Sequence, residues 1–189
     1  WILPNAPSNP VTLNGGMRMP SWYDIYTLDG GESRKHDESG LLESVSLVQK
    51  LVDQEVSAGI PADRVFKDQS SHPRTQIVVG GFSQGGAVAL LFTALTKSRL
   101  AGSIGLSTYL PMHTKIPELT TGTNKDTPVF MGHGDADQVV QFSWGKSSHE
   151  HLKTLGYSNT EFHQYAGMAH SSCNDEIRDL AQFLKKISF

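Results

Sequence analysis

One serine stands where a nucleophile would. Gly81-Phe82-Ser83-Gln84-Gly85 fits the pattern G-x-S-x-G, with Ile77-Val78-Val79 before it and Ala87-Val88-Ala89-Leu90-Leu91 after it. A β-branched apolar run breaks at glycines and resumes as a helix-forming run. Such a strand–turn–helix elbow lifts the serine hydroxyl to the mouth of a sheet on strained backbone angles. The glycines admit the close backbone approach of the turn. The helix N-terminus behind the serine favours developing negative charge. A Gly-rich turn that only packs a helix on a sheet is the plainer alternative. The strand before and the helix after favour the chemical one.

A serine hydroxyl becomes nucleophilic when a base takes its proton, and that base needs an orienting group. Two downstream stretches offer them. One is His133-Gly134-Asp135-Ala136-Asp137, and the other is Gly167-Met168-Ala169-His170-Ser171-Ser172. The first follows the strand at Val129–Met131 and the second the alternating strand at Thr160–Tyr165, so Ser83, Asp137 and His170 all fall just past strand ends, where catalytic groups of open α/β sheets collect. The order nucleophile, acid, histidine is the one expected of a G-x-S-x-G elbow. His133-Gly-Asp-x-Asp could also read as a metal site, but its spacing matches no standard zinc or calcium loop, so no metal is expected. Asp135 reads as a turn residue bonding nearby amides, and His72, His149 and His151 as solvated. Cys173 lacks an elbow and reads as a small structural residue beside the site.

The elements that must carry these groups follow from pattern. Trp1 to Leu3 reads as a short strand stopped by Pro4, and Asn5 to Pro20, rich in Pro, Asn and Gly, as loop. The cluster Pro20-Ser21-Trp22-Tyr23-Asp24-Ile25 is either a satellite apolar cluster or a substrate contact. Leu41, Leu42, Val45, Val48, Leu51, Val52 and Val56 recur at helical spacing, with Asp37, Glu38 and Ser39 available at the start and Gly59-Ile60-Pro61 as a stop. Lys67 to Gln76 reads as a polar surface excursion. Beyond the elbow helix come strands at 102–107, 127–133 and 160–165, and helices at 142–155 and 174–187, with 109–125 as loop. Strands alternating with helices imply a parallel sheet covered on both faces, an α/β domain.

Bulk properties agree with a folded enzyme-sized unit. The 189 residues are 38% hydrophobic and 19% charged, with net charge −3. No basic block invites nucleic acid, and no apolar run approaches the roughly 20 residues of a membrane span. The single cysteine allows no internal disulfide and suggests a reducing compartment, hence the cytoplasm. Residues 1–189 read as one domain. The opening Trp1-Ile2-Leu3, without Met, suggests that the natural protein extends upstream.

Several motifs in order carry a specific resemblance: Pro4-Asn5-Ala6-Pro7, Met19-Pro20-Ser21-Trp22-Tyr23-Asp24, Asp37-Glu38-Ser39-Gly40, Gly80-Gly81-Phe82-Ser83-Gln84-Gly85-Gly86-Ala87, His133-Gly134-Asp135-x-Asp137 and Gly167-Met168-x-His170-Ser171-Ser172. Over nearly the whole chain the sequence resembles the acyl-protein thioesterases, small carboxylesterases also described as lysophospholipases. The resemblance implies an α/β-hydrolase fold with a mostly parallel sheet, helices on both faces and no large lid domain. It implies a Ser83–His170–Asp137 triad, no cofactor, and the backbone N–H of Gln84 as one oxyanion donor. It suggests Trp22 and the loop at Tyr109 and Leu110 as borders of the acyl channel, with Tyr109 where the family often has Trp. Expected partners are S-acylated proteins, lysophospholipids or simple esters, with transient membrane-surface contact and self-association both compatible.

One departure stands out. The family carries a His-Gly-Leu-Gly-Asp-type segment upstream of the stretch matching Trp1, and this chain does not, so N-terminal strands are expected to be missing. The resemblance implies that this segment supplies the second oxyanion N–H, whose loss costs on the order of 10²–10³ in rate. Two functions therefore compete: an active serine hydrolase on acyl thioesters or esters, and an acyl-binding or interaction module with half an oxyanion hole. A dienelactone hydrolase-like enzyme is a third reading, disfavoured because Ser rather than Cys stands at the elbow.

Overall fold

The structure is a computed structural model, and it describes residues 1–28, 35–59 and 77–188. The excursion at Lys67–Gln76 with His72, and the Ile60-Pro61 stop, lie outside the described residues.

Four parallel strands form the sheet: β3 (Val78–Phe82), β4 (Gly102–Leu106), β5 (Val129–Gly134) and β6 (Thr160–Tyr165), paired in that order. Between them run α2 (Gln84–Leu95), the single turn α3 (Ile116–Leu119) and α4 (Phe142–Thr154), and α5 (Asn174–Ser188) closes the chain. The two faces of β4 and β5 divide by residue parity, as period-2 side chains must. Phe130 and Ile104 meet Phe183 of α5 on one face. Val129 and Met131 meet Ala87, Leu90 and Leu91 of α2 and Leu152 of α4 on the other. Burial on both faces explains the near-continuous apolar run of β5.

Helix α2 is apolar all round and buried from Gly86 to Ala94, as expected of a helix sandwiched between sheet and outer layer. That outer layer is α1 (Glu38–Ser57), whose Val45, Val48 and Leu41 lie against it. Asp37 caps α1 by accepting from the Gly40 amide at 3.0 Å. The same carboxylate accepts the Asp24 amide at 2.9 Å, so the cap also ties the cluster at residues 20–25 to the helix.

Two expectations for the N-terminus fail. Trp1–Leu3 is no strand, and both end residues are exposed. An apolar tripeptide becomes a strand only when a neighbour takes its ladder bonds, and among the described residues none does. Residues 5–20 are not plain loop either. Ser8–Val11 (β1) and Met17–Pro20 (β2) pair as an antiparallel ribbon. The turn uses a 3₁₀ segment at Thr12–Asn14 and two left-handed glycines, Gly15 (φ 65°) and Gly16 (φ 79°). Pro10 and Pro20 suit a two-stranded ribbon, where each strand has an outer edge that needs no donor.

Candidate active site

The elbow is built by steric exclusion. A Cβ on Gly81 would sit 2.2 Å from the Gly85 carbonyl carbon, and one on Gly86 would sit 2.8 Å from the Gly81 oxygen. Both positions therefore admit only hydrogen, and β3 can turn into α2 within one residue. That residue is Ser83, held at φ 52°, ψ −121°. A non-glycine residue there carries strain of about 1–3 kcal/mol, which the surroundings must over-determine. They do so from two elements. The Ser83 amide donates to the Leu106 carbonyl at the end of β4 at 2.9 Å. The Ser83 carbonyl accepts from the Ala87 amide at 3.0 Å and from the Thr108 hydroxyl at 2.7 Å.

The structure brings Ser83, His170 and Asp137 into one line. His170 Nε2 lies 3.0 Å from Ser83 Oγ, and its Nδ1 lies 2.8 Å from Asp137 Oδ2. Asp137 is buried and ionisable, so its oxygens need donors. Its Oδ1 accepts the amides of Val139 and Val140, both at 2.9 Å. Two backbone donors and the His170 imidazole thus fix the carboxylate in the loop after β5. With Asp137 accepting at Nδ1–H, Nε2 carries its lone pair toward the serine hydroxyl, the tautomer a general base requires.

Three supports were not evident in the sequence. The Phe82 ring packs on the His170 imidazole with centroids 4.6 Å apart; its place inside the elbow motif was the available signal. Thr108 reaches the Ser83 carbonyl from just past the end of β4. His133 donates from Nε2 to the Val140 carbonyl at 2.8 Å and lies 3.5 Å from Asp137 Oδ2. Burial pushes the His133 imidazole below its ordinary pKa, against the opposing pull of the Val140 carbonyl and Asp137. It stays neutral beside the acid and braces the Asp137 loop. Gly145 of α4 makes room for that ring, since a Cβ there would lie 2.2 Å from its Nδ1.

An open cleft of about 430 Å³ begins at Ser83. Phe82, Gln84 and Gly85 form its floor, and Leu13, Met19 and Trp22 of the ribbon and the following segment form its wall. Gln84 opens α2, so its amide is among the first-turn donors that have no acceptor within the helix. Trp22 lines this cleft. Leu110 does not: it is 2% exposed and packs inside the core with Leu90, Met112 and Ile116, its amide held by Ser148 Oγ at 2.7 Å. Tyr109 is absent from the cleft lining, and its hydroxyl lies 2.8 Å from that of Tyr23.

Other residues fall into structural places. Asp135 accepts from the Gly167 amide at 2.7 Å and from Gln164 at 3.0 Å, pinning the loop that carries His170 to the end of β5. Those donors hold its carboxyl below the usual range. His149 and His151 are not simply solvated. His149 lies against Phe162 and bonds Thr160 at 3.0 Å, while His151 stacks on His113 with centroids 4.0 Å apart. Among the described residues no cluster of three or more His, Cys, Asp or Glu could hold a metal ion.

The sequence profile of the Phospholipase/Carboxylesterase family matches residues 1–188. Acyl-protein thioesterase 1 of Mycosarcoma maydis is 47% identical over 192 residues, which span 99% of this chain and 77% of that protein. Acyl-protein thioesterase 1 of Neurospora crassa is 45% identical over 189 residues, 97% of this chain and 72% of that one. Among solved structures, SOBER1 of Arabidopsis thaliana superposes with TM-score 0.85 at 33% identity, covering 99% of this chain and 83% of that one. Acyl-protein thioesterase 2 of Zea mays superposes with TM-score 0.81 at 28% identity, covering 100% and 81%.

Proposed function

This chain belongs to the phospholipase/carboxylesterase family of α/β-hydrolases, and from that premise we propose that it is a serine hydrolase that removes fatty acyl chains from protein cysteine thioesters in the cytoplasm, with lysophospholipids and simple esters as further substrates. The observation that carries the proposal is the line Ser83–His170–Asp137, with contacts of 3.0 and 2.8 Å. The substrate class is carried over from the thioesterase relatives and is supported by the apolar wall beside Ser83.

The reaction proceeds by two acyl transfers. His170 Nε2 takes the Ser83 proton as Oγ attacks the thioester carbonyl. The carbonyl oxygen becomes an oxyanion, met by the Gln84 backbone N–H and the positive end of the α2 dipole. Asp137 holds the His170 tautomer and stabilises the imidazolium. The imidazolium gives its proton to the departing cysteine sulfur, leaving an acyl-Ser83 ester. Water then enters, loses a proton to His170 and attacks that ester, and the returning proton restores Ser83. The acyl chain lies in the open cleft, where a flexible chain can enter from the side. Among the described residues no helix is long and apolar enough to cross a membrane.

The test joins a fluorophosphonate probe to hydrolysis of a palmitoylated cysteine peptide. Labelling that disappears in Ser83→Ala, together with thioester cleavage lost in the same variant, is the expected result. Equal labelling of Ser83→Ala, or thioester cleavage that survives it, would sink the proposal. Parallel assays on a lysophospholipid and a short nitrophenyl ester rank the further substrates.

A further inference from the structure

Gln84 carries more than a backbone donor. Its carboxamide makes a four-contact bridge across more than sixty residues of chain to the wall of the cleft. Oε1 accepts the Trp22 amide at 3.2 Å and lies 3.3 Å from Ser21 Oγ. Nε2 donates to Ser21 Oγ at 3.0 Å and to the Tyr23 carbonyl at 2.9 Å. The Ser21 hydroxyl itself donates to the Tyr23 carbonyl at 2.6 Å. The small network is closed: each amide atom of the Gln84 side chain has partners, and the Tyr23 carbonyl takes two donors.

The segment it holds is also pinned by the Ser21 amide on the Pro7 carbonyl at 3.0 Å, by Asn9 Nδ2 on the Ser21 carbonyl at 3.0 Å and by the Asp24 amide on Asp37 at 2.9 Å. Residues 21–25 belong to no helix or strand, so their position depends on such pins. The Trp22 peptide is gripped on both sides, its N–H by Gln84 and its carbonyl by the Ser44 hydroxyl of α1. The Trp22 indole also comes close to the elbow itself, its Nε1 lying 3.8 Å from where a Cβ on Gly85 would stand. Cleft wall and nucleophile turn are therefore tied together at consecutive residues, Ser83 for the reacting atom and Gln84 for the wall.

We propose that the Gln84 side chain is a positioning residue for substrate selectivity: it fixes the Ser21–Tyr23 wall against the nucleophile elbow and so sets the discrimination between long and short acyl chains. The inference rests on the reading of Ser83 as nucleophile and of the adjoining cleft as the acyl site. A methylene packed on a fixed apolar wall gains up to about fourfold in affinity. A wall free to shift yields only part of that gain. Chain-length selectivity is therefore the quantity the bridge controls, and it should appear in KM more than in kcat.

Gln84→Met keeps length, volume and the backbone N–H while removing every side-chain hydrogen bond. Gln84→Asn keeps the amide but withdraws it by one methylene, and it serves as the second variant if Met does not fold. The measurement is kcat/KM for 4-nitrophenyl acetate and 4-nitrophenyl octanoate, both below their aggregation limits. Any loss at the oxyanion is common to the two esters, so their ratio isolates the wall. The expected result is an octanoate-to-acetate ratio lowered about tenfold, mostly through a raised KM for octanoate. An unchanged ratio in a variant that still takes up the fluorophosphonate probe overturns the proposal. Ser83→Ala separates the two levels: activity surviving in it removes the reading beneath, whereas a dead Ser83→Ala with an unchanged Gln84→Met ratio removes only this inference.

Discussion

Strain at Ser83 has a sign that can be measured. Ser83 sits at φ 52°, ψ −121°, the conformation of the first central residue of a type II′ turn, which glycine adopts freely. Ser83→Ala and Ser83→Gly both remove the hydroxyl, so both lose the 3.0 Å contact with His170 and the catalysis proposed to depend on it. The difference between them is then a backbone matter. Alanine keeps the Cβ and its strain of about 1–3 kcal/mol. Glycine sheds that strain but brings roughly 0.5–1 kcal/mol of extra unfolded-state entropy. The balance favours glycine by about 1 kcal/mol, the reverse of the order at an ordinary helix or strand site.

For a chain of this size about 1 kcal/mol moves Tm by roughly 2–4 °C. Melting curves of the two variants at one pH, supported by urea midpoints with equal m-values, make the comparison. Ser83→Gly should melt about 2–4 °C above Ser83→Ala, with both catalytically silent. If the glycine variant melts below the alanine variant, the elbow is not strained and the account of how β3, β4 and Thr108 hold it is wrong.

Three further outcomes follow from the same geometry. Gly81→Ala should fold poorly, because its Cβ meets immovable backbone at 2.2–2.6 Å, while Gly85→Ala, with only the Trp22 indole at 3.8 Å, should fold normally; soluble yield and melting curves separate them by more than about 3 kcal/mol. Asp137→Asn should keep the Val139 and Val140 amide contacts yet turn an N–H toward His170, lowering kcat on the order of 10⁴-fold with little change in Tm. Glu176 on α5 is wholly buried beneath Gly132, and burial raises its carboxyl pKa to about 7. A raised folded-state value means protons favour the native state. Its stabilising contribution is full below about pH 4.5 and is lost as pH climbs to about 7. Glu176→Gln should therefore flatten the fall in Tm between pH 5 and pH 8, and an unaltered pH profile would exclude this carboxyl as its source.

What could be read from the sequence was whatever a short local pattern encodes. The positions of Ser83, Asp137 and His170 beyond strand ends were legible, from a β-branched run broken by glycine at β3, an apolar run at β5 and an alternating one at β6. Helix α1 and strand β6 were legible from period alone. The ribbon β1–β2 was not, since Pro10, Asn14, Gly15, Gly16 and Pro20 carry the composition of a loop. Its pairing is decided by a register between Ser8 and Pro20 that no window of residues displays. The error at Leu110 has a related cause. A loop residue after a strand can face either way, and here the strained turn at Ser107 (φ 46°) and the Ser148 contact direct it inward. The same limit hid the work of Gln84, Phe82 and Thr108. Each lies in or beside a recognisable motif, but its partner stands in another segment: Trp22, His170 and Ser83 respectively. A motif names the atoms that react, whereas the contacts that hold those atoms at reacting distance run between segments and become visible only once the chain is folded.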